Sequence, residues 1–185
     1  STGLDCGVAR QTQYYDNTIP TTYESTLQRQ QNDRKVGLDF SDWNGRFRFY
    51  QAYFRFLGVA VPQGSTIDSA YLNVELHAGD VLTFRVSGFD LDNVAQPSTG
   101  SDLAHSYHTA AYVDWTMAAS ASVQTSPDIK TIVQEIVDRS GWSSGNSMML
   151  GMWMATSMVM DDYFRTFNTG YDTNDTAPQL EITYS

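Results

Sequence analysis

The chain has 185 residues, of which 41% are hydrophobic and 13% aromatic, enough apolar material for the core of one globular domain. Its formal net charge is −10. Because nucleic acids and anionic membranes are bound through clustered Lys and Arg, this charge argues against both as partners. The single cysteine, Cys6, excludes an intramolecular disulfide.

Residues 1–45 are polar and include the run of Gln, Asn and charged residues at 28–35. A segment of this composition buries too little apolar surface to order by itself. We therefore predict a polar N-terminal arm over residues 1–45, followed by a β-sandwich domain over residues 46–185. An arm of this kind orders when it lies on a neighbour, which predicts contacts with the protein's own subunits and with other structural proteins.

From residue 46 onward, apolar and polar residues alternate with the period of β-strands. Residues 77–80 are expected to form a short hairpin connection between two of these strands. Seven or eight strands with one helix predict an all-β, antiparallel β-sandwich or jelly roll. Strands are predicted at residues 46–56, 67–76, 81–87, 111–117, 148–154, 164–169 and 179–184.

One amphipathic helix is predicted over residues 127–139. Ser126 is the expected N-cap, Pro127 suits the first helical position, and Gly141 is expected to end the helix in the left-handed conformation. The apolar residues recur at helical spacing and form one stripe that faces the core. The stripe consists of Ile129, Ile132, Val133, Ile136 and Val137.

The segment Gly141-Trp142-Ser143-Ser144-Gly145 matches the nucleophile elbow of hydrolases. That motif needs a strand before the serine and a helix after it, whereas here a helix precedes it and a strand follows. All three histidines also precede Ser143. We therefore expect no catalytic role, a chain that is not an enzyme, and a Trp142 that packs back on the core.

His105 and His108 form a His-x-x-His pair in a polar loop. A zinc site requires three or four ligands, and no cysteine pair or third histidine accompanies these two. We therefore expect both histidines to face water.

Clusters of Asp and Asn stand at predicted strand ends. Calcium takes six to eight oxygen ligands, which such loops supply, although Asp and Asn are also ordinary turn residues. Calcium is therefore the one cofactor that the sequence predicts. Its candidate ligands are Asp90, Asp92, Asn93, Asp172, Asn174 and Asp175.

Tryptophans in a β-sandwich build the core or, when exposed, offer a platform on which sugar rings stack. Trp153 alternates with Met152 and Met154, so it points to the opposite face of its predicted strand. We take Trp153 and Trp115 as candidates for a glycan platform.

Five segments share a resemblance when taken in order: residues 53–72, Gly88 to Ala95, Thr109 to Trp115, Ser126 to Asn146 and Ala177 to Tyr184. Together they resemble a family of jelly-roll modules similar to carbohydrate-binding modules. The family occurs in secreted and surface-displayed bacterial proteins and in phage structural proteins, and the resemblance covers residues 46–185. It implies a β-sandwich with one helix and no catalytic residues of its own.

Two functions follow from these expectations. The first is a non-enzymatic structural protein that decorates or cements an assembly as a homo-oligomer, with a phage virion as the expected assembly. The alternative is a glycan-binding module of a secreted or cell-surface bacterial protein, with polysaccharide as its partner. The expected location is accordingly a virion, the cell surface or the extracellular space.

Overall fold

The described residues of the protein form an all-β fold with one α-helix. A computed structural model describes residues 3–14, 26–29, 34–42, 46–155, 163–167, 169 and 176–185. The strands are β1 (Leu4–Tyr14), β2 (Thr26–Arg29), β3 (Arg34–Asp42), β4 (Arg46–Phe56), β5 (Ile67–Leu76), β6 (Leu82–Phe89), β7 (His108–Met117), β8 (Ser122–Thr125), β9 (Met148–Met154), β10 (Tyr163–Phe167) and β11 (Gln179–Tyr184).

The strands form one curled, sandwich-like sheet in the order β11-β5-β10-β3-β4-β9-β6-β7. Off this path, β1 pairs with β2 and β4, and β8 pairs with β5. The pairings are antiparallel. The core lies inside the curl, and its buried side chains come from both ends of the strand order, for example Leu72 of β5 and Phe84 of β6. The predicted fold class is confirmed.

The described parts of residues 1–45 belong to the sandwich itself. Strand β1 pairs with β4 over its whole length, from Leu4 opposite Phe56 to Tyr14 opposite Arg46. Strand β3 lies between β4 and β10. Cys6, Val8 and Val36 are fully buried in the core. The structure therefore places these strands within the sheet rather than in a separate arm that ends at residue 45.

The predicted hairpin between β5 and β6 is wrong, although both strands form close to their predicted positions. Strand β5 pairs with β8, β10 and β11, whereas β6 pairs with β7 and β9. Residues 77–80 therefore connect two strands that are not hydrogen-bonded neighbours. Turn residues between two alternating segments do not specify which strands pair, because pairing depends on side chains distant in sequence.

Helix α1 (Lys130–Val137) is shorter than the predicted span of 127–139. Its stripe of Ile132, Val133, Ile136 and Val137 is buried, as predicted. The helix packs on β5 and also on β6 and β7, so it joins the two ends of the strand order. Gly88 of β6 permits this approach, because a Cβ there would lie 2.6 Å from Ile136 Cδ1.

Polar side chains around α1 bind the backbone of β5. Asp128 Oδ1 accepts hydrogen bonds from the N–H groups of Ala70 (3.1 Å) and Lys130 (2.9 Å). Gln134 Oε1 accepts from the Ile67 N–H (2.8 Å). The predicted cap, Ser126, instead accepts from the Leu72 N–H at 2.9 Å. Asp128 therefore serves the first turn of the helix, while Ser126 satisfies the strand.

Glu135 extends the same arrangement to β7 at the other end of the strand order. Its Oε1 and Oε2 accept from the N–H groups of Ala110 (2.7 Å) and Ala111 (2.9 Å). Backbone donors at a sheet edge invite pairing with another chain unless a partner covers them. We call the contacts of Ser126, Asp128, Gln134, Glu135 and Arg139 the helix latch.

The C-terminal end of α1 differs from the prediction in its detail. Gly141 does not have a positive φ, whereas Gly145 does, at 96°. A Cβ at Gly141 would lie 2.1 Å from Asp92 Oδ2, so glycine is required here by close approach. Trp142 is 2% exposed, and its Nε1 donates to the Val61 carbonyl at 2.9 Å, which confirms that it packs on the core.

Within the described residues, no helix has the length and apolar character needed to cross a membrane.

Candidate functional site

The outer face of strands β9, β6 and β7 carries the candidate site. In β9, Met152 and Met154 are buried, whereas Trp153 is partly exposed on the opposite side of the strand. Met149 and Gly151 lie on the same face of β9 as Trp153 but are buried, so this face of the strand reaches solvent at Trp153. In the neighbouring β6, Phe84 and Val86 are buried and Arg85 is partly exposed.

Trp153, Arg85 and Asp114 form one row across three adjacent strands, which we call the outer row. Arg85 is the register partner of both Trp153 and Asp114. Its Nε donates to Asp114 Oδ1 at 2.8 Å and its Nη2 to Asp114 Oδ2 at 3.0 Å. The guanidinium lies 3.8 Å from the ring centroid of Tyr112. The row therefore combines aromatic rings with a planar ion pair.

The Arg85–Asp114 pair remains ionised in mildly acidic solution. The hydrogen bonds from Arg85 lower the pKa of the Asp114 carboxyl, and the same contact raises the pKa of the Arg85 guanidinium. The side chains are 30% and 43% exposed, so water and ligands reach both groups. An adjacent pair, Thr83 and Thr116, joins hydroxyls at 2.8 Å and adds uncharged donors and acceptors to the face.

A cluster of histidines flanks Trp153 on the same side of the sheet. The His105 ring lies 4.4 Å from Trp153 between centroids, with 33° between the planes, and the His108 ring lies 4.8 Å away. The two imidazoles are 5.1 Å apart. His108 also contacts Phe89 at 4.3 Å. These contacts fix one side of the Trp153 indole.

The expectation that both histidines face water is wrong. Both are partly buried, and desolvation lowers the pKa of His105 to about 4. Desolvation, followed by the charge of His105, lowers the pKa of His108 to about 3. Gly151 of β9 makes room for this packing, because a Cβ there would lie 2.9 Å from His108 Cε1. Both rings are therefore neutral at neutral pH.

His108 binds two buried side chains from other strands. Gln51 Nε2 lies 3.3 Å from His108 Nε2, and Ser87 Oγ lies 2.5 Å from His108 Nδ1, so both ring nitrogens are within hydrogen-bond distance of a side chain. Ser87 and Gln51 are both buried, at 1% and 0% exposure. These contacts hold the His108 ring in place beside Trp153.

Asp90, Asp92 and Asn93 lie in the loop after β6 and contact the segment that follows α1. Arg139 donates to Asp92 Oδ1 at 2.7 Å and also pairs with Asp90. Asn93 Oδ1 accepts from the Ser147 N–H at 2.9 Å. Arg139 thus supplies a cation to both carboxylates. A calcium ion at this loop would require the same carboxylates. Calcium binding at this loop stays a prediction.

The remaining predicted site residues have different positions. Trp115 is 4% exposed and belongs to the core, so it offers no face to a sugar. Asp172, Asn174 and Asp175 lie outside the described residues. Among the side chains that the structure does describe, no three of His, Cys, Asp or Glu form a group able to hold a metal ion.

The sequence indicated Trp153 but not its neighbours. Alternation in β6 and β7 was available as a signal, because Arg85 stands between buried Phe84 and Val86, and Asp114 precedes buried Trp115. Alternation assigns a side chain to a face. It does not give the strand order that brings residues 85, 114 and 153 into one row.

No protein-family model matches the chain, and comparison with curated proteins finds no significant match. The resemblance of residues 46–185 to jelly-roll modules similar to carbohydrate-binding modules therefore stays a prediction.

Proposed function

We propose that the protein is a non-enzymatic glycan-binding module whose ligand lies on the outer row. The observation that carries this proposal is the register that aligns Trp153, Arg85 and Asp114 on one solvent-facing surface, with Tyr112 against the guanidinium. On this proposal the protein acts at a cell surface or in the extracellular space.

The chemistry of the row matches the two kinds of surface on a sugar ring. A pyranose has an apolar face of C–H groups and a rim of hydroxyls. The Trp153 indole offers an apolar ring with a polar edge, and the partly exposed Tyr112 adds a second aromatic group. The planar fork of Arg85 and the carboxylate of Asp114 supply fixed donors and acceptors for hydroxyls.

The structure around the row also suits binding rather than turnover. Contact with His105 restricts the Trp153 ring, and contact with Tyr112 restricts Arg85. Side chains already held in place lose less conformational entropy when a ligand binds. A rigid sheet face of this kind favours recognition of an extended polymer.

Binding to a panel of soluble polysaccharides, measured by affinity electrophoresis and titration calorimetry, tests this proposal. Trp153→Ala should weaken the affinity about tenfold or more, which corresponds to about 1.4 kcal/mol. Tyr184→Ala is the matched control, since Tyr184 is an exposed aromatic residue of β11, at the other end of the strand order. Equal losses in both variants, or no loss in Trp153→Ala, would refute the role of the row.

We propose assembly on a larger particle, such as a virion, as the second candidate function. It is favoured by a groove of about 230 Å³ whose apolar lining includes Phe56, Val59, Leu180 and Ile182. Deleting residues 1–45 does not test this candidate cleanly, because the deletion removes β1 and β3 from the sheet. Ile182→Glu, compared with wild type by sedimentation velocity, is the cleaner test. An assembling protein should dissociate, whereas a monomer should be unchanged.

A further inference from the structure

We infer that the ligand of the outer row is an uncharged polysaccharide, an inference that rests on the proposed glycan-binding function. It concerns the chemical class of the sugar. Acidic and amino polysaccharides are the alternatives, and each requires an uncompensated charge of the opposite sign on the protein.

The charges of Arg85 and Asp114 compensate each other within the outer row. Both oxygens of Asp114 accept hydrogen bonds from Arg85, at 2.8 and 3.0 Å, so the cation and the anion neutralise each other. An acidic sugar would have to displace Asp114 from the guanidinium, and an amino sugar would have to displace Arg85 from the carboxylate. A hydroxyl displaces neither group, because the paired side chains retain donor and acceptor capacity toward a neutral partner.

The surface next to the ion pair is uncharged on both sides. The next pair on the same face of these two strands is Thr83 and Thr116, whose hydroxyls are uncharged. On the other side of Arg85 stands Trp153, flanked by imidazoles that are neutral at neutral pH. From Trp153 to Asp114 the row crosses two strand spacings, about 10 Å. Along that length the surface offers rings, hydroxyls and one compensated ion pair.

The net charge of the whole protein also disfavours acidic polysaccharides. A formal net charge of −10 repels polyanions at long range and slows their association. This field does not act on neutral chains. Polycations would be attracted, but that attraction is non-specific and is screened by salt.

The experiment compares soluble xylan, galactomannan and mixed-linkage glucan with polygalacturonate and with chitosan, at low salt and at about 1 M salt, where the Debye length is about 3 Å. Wild type should bind at least one neutral polymer with an affinity that changes less than about twofold with salt. Asp114→Asn should gain about tenfold or more in affinity for polygalacturonate at low salt, because it leaves Arg85 uncompensated. Arg85→Gln is the matched control and should show no such gain.

The outcomes separate this inference from the function on which it rests. Salt-sensitive wild-type binding to polygalacturonate or chitosan, stronger than to any neutral polymer, would overturn the neutral class and leave glycan binding intact. An Asp114→Asn variant that gains nothing would show that the ion pair does not exclude acidic sugars, and this too overturns the inference. Binding to none of the three classes overturns the proposed function together with it. Both side chains are partly exposed, and circular dichroism verifies that the variants fold.

Discussion

The helix latch and the outer row both contain charged side chains, on α1 and its flanks in the latch and on β6 and β7 in the outer row, and they differ in what those side chains bind. In the latch, Asp128, Gln134 and Glu135 accept hydrogen bonds from backbone N–H groups of β5 and β7. In the outer row, Arg85 and Asp114 bind each other and face solvent. Polar groups committed to the backbone stabilise a fold, whereas solvent-facing polar groups beside aromatic rings remain available to a ligand.

The largest expected effect comes from the buried apolar stripe of α1. Ile136→Ala should lower the free energy of unfolding by about 3 kcal/mol, because Ile136 is fully buried where α1 joins the two ends of the strand order. Val81→Ala is the matched control, since Val81 is 62% exposed. Urea denaturation measures both. Equal losses in the two variants would show that α1 does not hold the ends of the sheet together.

The next largest effect is expected from acidification, which should lower the free energy of unfolding by protonating the histidines beside the outer row. The folded-state pKa of His108 is about 3, below its usual value of 6.5, so the unfolded chain binds more protons between these values. Stability is therefore present above pH 6.5 and is lost as the pH falls. For His108 the loss between pH 7 and pH 5 should be about 2 kcal/mol.

His108→Gln isolates that contribution, because glutamine retains hydrogen-bonding groups but does not titrate. The variant should lose less stability than wild type between pH 7 and pH 5, as measured by urea denaturation at each pH. An identical pH dependence in the two proteins would contradict the burial of the imidazole. It would also remove the argument that the histidines next to Trp153 are neutral.

A smaller effect is expected at the charged end of the latch. Arg139 and calcium would compete for the carboxylates of Asp90 and Asp92. Arg139→Met should therefore increase the rise in melting temperature that calcium causes, relative to wild type. A variant that responds to calcium no more than wild type does would argue against a calcium site at this loop. For the candidate calcium ligands at residues 172–175, the test is whether a chelator lowers the melting temperature of wild type.

Much of the fold was predictable because burial imposes a period on the sequence. Apolar residues at every second position located β5, β6, β9 and β11, and helical spacing located the stripe of α1. Strand β1 was missed because Arg10 to Gln13 form a polar run in its second half, although Cys6 and Val8 reach the core. The pairing with β4 identifies β1 as a strand, whereas its own sequence pattern does not.

The site was predictable in part. The alternation of Trp153 with buried methionines indicated an outward-facing aromatic ring. His105 and His108 were misjudged, because a loop of polar residues does not reveal that Gly151 and Phe89 make a place for an imidazole against the sheet. Trp115 shows the converse error, since a tryptophan suited to a platform is also suited to the core.

The outer row is proposed to bind glycan, whereas the core tryptophans are not. NMR titration with a polysaccharide that binds wild type tests this difference directly, through the indole N–H signals assigned with Trp→Phe variants. We predict that the Trp153 signal shifts in proportion to saturation, while those of buried Trp115 and Trp142 stay in place. Saturated binding with an unmoved Trp153 signal would contradict it.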